Sequence, residues 1–307
     1  LVGSEPGSCL PVADMFRRSI QLVFLLAPFL AGCIFEPPEE CDNVRIIFHY
    51  CPEGTVCQTS EHIEQVHLLV FGQDNRLVQQ KVVSLDACGT CGTGLNLAPG
   101  RYGLVAVGNA FENTVLDAPG TLEGLRLAHP AYLAGNPITT NDSLYLGRKD
   151  IVVPPFEILQ DTVNFSSIHL AFKILVRGLH LLTTKASEPP VSIVLEGLFP
   201  LYTLQQKASG PPQSYYPAGT YYDSSGIFIS RFNIFRGNDL DGIFLGLHDN
   251  EGNTLERVNM GQLMRQAGID PDTVGDVTLP LEIVITGMDI SIQVSNWETE
   301  ELEALLH

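Results

Sequence analysis

Positive charge is scarce. Only 17 lysines and arginines stand against 35 aspartates and glutamates in 307 residues, a formal net charge of −18. Such a surface repels polyanions, which sets nucleic acid aside as a partner. A long hydrophobic run is missing as well: the apolar stretch Ile20 to Leu30 holds eleven residues, about half of the ~20 that a helix needs to cross a bilayer. Catalytic constellations are also lacking. There is no Ser-His-Asp order, no nucleophile elbow and no carboxylate pair that sequence singles out, so neither an enzyme nor a cofactor is expected. His62 and His67 stand five apart and lead into a strand, whereas a helical zinc-protease motif needs a spacing of four. They are expected at the surface or on a sheet edge. The acidic stretches GNDLDG (237–242) and DNEGN (249–253) do not complete a calcium loop and read as hairpin turns.

What is present begins with an address. Met15 to Ser19 (MFRRS) is basic, Ile20 to Leu30 is apolar, and Leu30 to Cys33 (LAGC) is built of small residues, the three-part layout of an export signal. LAGC also matches the bacterial lipobox, in which the cut falls before the cysteine and acyl chains are attached to it. Cys33 is therefore the expected lipidation site. Residues 1–14 are expected to be an extension outside the protein, 15–32 the signal peptide and 33–43 a lipidated tether. Glu36, Glu39, Glu40 and Asp42 make that tether acidic, and Pro37 and Pro38 keep it extended.

Beyond the tether the pattern is that of strands. Twenty prolines and 28 glycines punctuate short apolar runs, which favours an all-β class. Val277, Leu279, Leu281, Ile283 and Ile285 alternate with polar neighbours, and Ile290, Ile292 and Val294 repeat the pattern after Gly287, predicting a C-terminal hairpin. Ile168 to Val176 and Val44 to Tyr50 read as half-buried strands. Two hairpins, Val66 to Gln80 and Gly242 to Arg257, share a polar Asp-Asn turn and hint at two related β-sandwiches. A seam is expected at VVPPFE (Val152 to Glu157), dividing the chain into 44–155 and 156–307. One helix is predicted, Asn259 to Ala267, capped by Asn259 and closed by Gly268.

Taken in order, the lipobox, CIFEPPEEC, VRIIFHY, EQVHLLVFGQDNRLVQ, LAPGRYGLVAVGN, LYLG and VSNW resemble the fimbrillin anchor subunits of Bacteroidetes type V pili, minor fimbrial lipoproteins. The resemblance spans most of Cys33 to Trp297 and is best up to Asn109. It departs in LVAVGN, where relatives commonly carry tryptophan, and in its surplus of cysteines. It implies two tandem transthyretin-like Greek-key sandwiches, fimbrial stalk subunits as partners, and a place on the outer membrane at the base of a pilus. Stalk subunits of this pilus type lose an N-terminal strand and receive a neighbour's strand in the vacated groove. An anchor that keeps its N-terminus would end growth. The acidic tail ETEELEALLH after Trp297 is helix-prone and a poor donor strand.

Seven cysteines are present. In an exported protein Cys51, Cys57, Cys88 and Cys91 are first of all disulfide candidates, with pairing within or across the two motifs left open and Cys41 left over. A zinc site using these thiols beside His49 is the alternative, disfavoured by the wide spacing of CPEGTVC. The tyrosines 215, 216, 221 and 222 are the one candidate aromatic platform for an adhesive or glycan-binding role, with loop packing as the plainer reading.

Overall fold

The structure, a computed structural model, describes residues 42–295 apart from 53, 55, 86–90, 183–187, 238, 273, 274 and 288. It is all-β. The first half runs through β1 (Val44–His49), β2 (Gln65–Phe71), β3 (Leu77–Ser84), β4 (Gly92–Leu95), β5 (Gly100–Gly108), β6 (Val115–Asp117), β7 (Arg126–Ala128), β8 (Tyr145–Val153) and β9 (Leu159–Ser167). Seven of these strands form one sheet in the order β3-β2-β5-β8-β9-β1-β4. Its two arms are joined only where Tyr145 to Gly147 pair with Phe165 to Ser167. The sheet folds over there. Val44, Ile46 and Phe48 from one arm then meet Val66, Leu68, Val70 and Leu104 from the other in a shared core. Alternation along β1 is what makes this possible: Val44, Ile46 and Phe48 are fully buried, while Arg45 between them is exposed.

The second half comprises β10 (His169–Arg177), β11 (Val191–Leu198), β12 (Leu201–Thr203), β13 (Ala208–Ser209), β14 (Gln213–Tyr215), β15 (Gly219–Tyr222), β16 (Ile227–Phe235), β17 (Phe244–Asp249), β18 (Thr254–Asn259), β19 (Val277–Thr286) and β20 (Asp289–Val294). A five-stranded sheet, β15-β16-β10-β19-β20, lies over a four-stranded one, β14-β11-β17-β18. Between them sits the largest core, where Phe172 and Phe232 stack with centroids 4.9 Å apart. Each half gives its first strand a parallel neighbour on one side and an antiparallel one on the other. β1 lies between β9 and β4, and β10 lies between β19 and β16.

Both expected hairpins form, as β2–β3 and β17–β18, and Gly287 turns the C-terminal pair β19–β20 at φ +65°. The helix Met260–Ala267 starts where the Asn259 side chain accepts the Gln262 amide at 2.9 Å and ends at Gly268 in the left-handed conformation. DNEGN is the expected hairpin turn, with Asp249 accepting the amides of Glu251 and Asn253; the stretch 237–242 is not a hairpin, because it links β16 to β17 of the other sheet through a turn in which Asp239 accepts the Asp241 amide.

The expected seam at Val152 to Glu157 needs correction. Pro154 and Pro155 interrupt pairing as anticipated, but β9 returns from the turn to lie parallel to β1 in the first sheet. The passage to the second half comes instead between Ser167 and His169. The halves are also fastened by a fourth sheet, β13-β12-β7-β6, in which β12 pairs with β7 across more than seventy residues of chain. This small sheet covers the outer face of β2 and β5, burying Leu69, Phe71, Val105, Leu127 and Tyr202 in a third core. No helix among the described residues is long and apolar enough to cross a membrane.

Candidate functional site

β1 follows directly on Asp42 and Asn43, where the described residues begin. Asn43 pins its entrance: the side-chain amide donates to the Leu97 carbonyl at 2.8 Å and its oxygen accepts the Leu97 amide at 2.9 Å. The backbone is tied on both sides, with Asn43 N–H donating to Leu95 O and Leu159 N–H donating to Asn43 O. From there β1 is hydrogen-bonded to β9 along its whole length and to β4 over Val44 to Ile47. With both edges paired and its apolar face buried, β1 fills its groove completely.

The segment after β1 is closed by a disulfide between Cys51 and Cys57. The Thr59 hydroxyl accepts the Tyr50 amide and donates to the Phe48 carbonyl, so the loop folds back onto the strand. A ring nitrogen of His49 and the two sulfurs lie within 4.8 Å of one another. Sulfurs joined in a disulfide have no thiolate to give a metal, so zinc would require reduction first. Cys91 precedes β4, and its carbonyl accepts the Phe48 amide at 2.8 Å. Cys33, Cys41 and Cys88, the signal segment and the tail after Trp297 lie outside the described residues.

His62 is not a bare surface histidine. Its Nδ1 lies 3.0 Å from Asp276 Oδ2, an atom that also accepts the Tyr145 hydroxyl at 2.9 Å. His169 Nε2 is 3.9 Å from the other carboxylate oxygen, and Arg236 binds the carbonyls of His169 and Gly275. Tyr50, Tyr145, His62 and His169 pack edge to face around the acid. Tyr50, His62 and Tyr145 belong to the first half; His169, Arg236 and Asp276 belong to the second. This is a polar clamp between the halves. Burial, with the nearby carboxylate adding to it, pushes the Tyr50 and Tyr145 hydroxyls far above the usual phenol range. Burial also holds the His169 ring below 6.5, partly offset by its hydrogen bond to Leu144 O. For Asp276 burial acts upward, but the His169 ring, the Tyr145 and Ser167 hydroxyls and His62 outweigh it and leave the carboxyl below its ordinary value. Enclosed by aromatic rings and shared among hydrogen bonds already made, the carboxylate holds protein groups in place.

Asp276 and Tyr145 carry no sequence signal, because their partners lie far along the chain. Asn109 does: the LVAVGN stretch ends in a left-handed asparagine (φ +58°) whose side chain bonds Glu64 N–H, His62 O and Ser143 O. It positions His62 for the clamp. The tyrosines do not make one platform. Tyr215 is buried beside Asn141, Tyr221 and Tyr222 are half-buried on β15, and only Tyr216 is well exposed. Tyr216 lines a cleft of about 560 Å³ with Tyr132, Asn136 and Gln213.

Comparison with known proteins places this architecture. The family model of fimbrillin-A associated anchor proteins Mfa1 and Mfa2 matches residues 38–303. No curated protein matches the chain. Among solved structures, a candidate polysaccharide-binding protein of Bacteroides thetaiotaomicron superposes with a TM-score of 0.66 at 12% identity, covering 84% of this chain and 98% of that one. A candidate adhesin of Bacteroides ovatus gives 0.64 at 17% identity, over 83% and 93%. The fimbrial anchor protein Mfa2 of Porphyromonas gingivalis gives 0.59 at 16% identity, over 83% and 97%. At these identities the superpositions speak to fold.

Proposed function

The chain belongs to the family of fimbrillin-A associated anchor proteins, and from that premise we propose that it is an outer-membrane lipoprotein that anchors a fimbria to the cell surface and terminates its assembly. In this reading Cys33 carries the lipid, residues 33–43 are the leash, and two tandem transthyretin-like sandwiches receive the stalk. The observation that carries it is β1, paired on both edges and buried on its apolar face. A stalk subunit propagates growth by having its corresponding groove emptied and refilled by a neighbour. A protein that retains β1 offers no vacancy, so the stalk must dock elsewhere, by main-chain pairing at an exposed edge. Asn43 suits a load-bearing entrance, since pull on the tether meets four hydrogen bonds there before it reaches β1. The role is mechanical, and no step of it needs a catalytic group.

Radiolabelled palmitate uptake tests the anchor. The natural chain should be labelled and fractionate with fimbriae in the outer membrane; Cys33→Ala should be unlabelled, with fimbriae shed to the medium. Equal labelling of the two would end the proposal. A second reading, an adhesive surface lipoprotein that grips glycans, draws support from the Tyr132–Tyr216 cleft, whose aromatic rings and amides suit a sugar face.

A further inference from the structure

The turn between β8 and β9 is the most apolar exposed point of the described surface. Phe156 is fully exposed, Ile158 is 77% exposed and Val152 is 61% exposed. Scattered exposed apolar residues are ordinary, but here three within seven positions stand on one connection between the two arms of the sheet. Its backbone is built to project it. Pro154 and Pro155 stiffen the approach, and Phe156 sits at φ +64°, a conformation costly for a bulky side chain and retained where the surroundings impose it.

The place of this tip is informative. Ile158 shares a cleft with Asp42 and Arg45, and Leu159 donates its amide to the Asn43 carbonyl. The apolar tip therefore lies beside Asp42 and Asn43, the first of the described residues. Cys33 and Asn43 stand ten positions apart, a leash of at most about 35 Å, so in the anchor reading the tip is held within about that distance of the acylated cysteine. Arg45 lies in the same cleft as Ile158, and Arg101 pairs opposite Val152. Both can turn their guanidinium groups to lipid phosphates while the apolar tip enters the acyl boundary. Glu157 and Asp42 add negative charge at the same end, which favours a zwitterionic surface over an anionic one.

We propose that Val152, Phe156 and Ile158 form a membrane-contact tip that dips into the lipid interface beside the acylated cysteine and gives the anchor a second, orienting foothold. The inference rests on the anchor reading for where the bilayer lies. One acyl anchor leaves a protein free to swivel, and a wedge beside it fixes which face looks outward.

The test uses the acylated protein in phosphatidylcholine vesicles with brominated acyl chains. Trp297, the single tryptophan, is replaced by phenylalanine, and a reporter is introduced by Phe156→Trp or, as control, by Phe111→Trp. Phe111 is 40% exposed and follows the opposite end of β5, about 30 Å along the strand. The reporter at 156 should shift to the blue and be quenched at least twofold more than the one at 111. Equal quenching would overturn the tip, as would protection of position 156 by added fimbrial subunits in place of lipid. A second arm separates this from the anchor reading: the mature chain with Cys33→Ser, which has no acyl group, should still cosediment weakly with plain phosphatidylcholine vesicles. Adding Phe156→Asp and Ile158→Asp should lower the bound fraction about tenfold without changing thermal stability. Absence of acyl chains on the natural protein would instead defeat the anchor while leaving this binding intact.

Discussion

At the scale of single residues, pH is the sharpest probe of what burial has done. His67, His129 and His169 are all held below 6.5, in each case chiefly by burial, which penalises the cation. The unfolded chain takes up protons at these rings near 6.5 while the folded chain does not, so stability falls as pH drops below about 6.5. Asp276 acts in the same direction at lower pH. Its carboxyl is held down in the fold, so its contribution is present above the unfolded value near 4 and is lost as pH falls through the folded one. At the alkaline end Tyr202 and Tyr215 are raised to about 12, first of all by burial. Their stabilisation is intact below the ordinary phenol value and fades above about 10. The expected result is a melting temperature that is flat between about pH 7.5 and 9.5 and declines on both sides, steeply below 6, as read by scanning calorimetry in matched ionic strength. A profile that improves below pH 6 would mean that the histidines gain partners on protonation.

At the scale of elements, long alternating strands were legible and short or long-range ones were not. β1 and β19 announce themselves because one face is buried and the other is not, so a period of two survives in the sequence; β20 keeps the period with its apolar face half-buried, and β10 keeps it although His169 and Leu175 are buried on its second face. The capped helix at 260 was legible for an equally local reason, the Asn259 and Gly268 signals at its ends. β12 and β13, three and two residues long, lie in the stretch at 199–209 and carry no period; only their partners β7 and β6 make them strands. The seam was misplaced because proline reports that pairing stops locally and says nothing of which sheet the next strand rejoins. Of the candidate site, the cysteines and β1 were visible, while the clamp was not, since Tyr145 and Asp276 meet across 131 residues. β1 itself supplies a quantitative expectation. Phe48 is fully buried and lies 5.9 Å from Phe165. Phe48→Ala should cost about 3–5 kcal/mol, measured by urea unfolding. It should also render the chain sensitive to protease within β1, the strand whose retention the proposed terminating role requires.

For the molecule as a whole, the question is whether the two halves behave as one body under load. Two of the devices that join them are different in kind; a third is the 138–143 segment of the first half, which is hydrogen-bonded to Asn233 and Tyr216 of the second. The clamp around Asp276 is polar and pH-dependent, while the fourth sheet is a small core in which β12 of the second half pairs with β7 of the first and Tyr202 packs 5.5 Å from Phe235. Tyr202 is 2% exposed and sits in the same cluster as Leu69, Phe71 and Leu127, so it ties the outer face of the first sheet to the second half. In the proposed anchor a fibre would pull through the stalk, and a tether would pull back at Asn43. Force then crosses the junction between the halves, which must not open before either half unfolds. If the fourth sheet is what couples them, the natural chain melts in one transition. Tyr202→Ala removes the ring that spans the junction at a cost of about 3 kcal/mol, and the calorimetric trace should separate into two transitions, the half that loses its cover melting first. An unchanged single transition, lowered in temperature, would move the coupling to the remaining contacts, and a split on repeating the scan at pH 5 would then assign it to the Asp276 clamp rather than to the 138–143 segment.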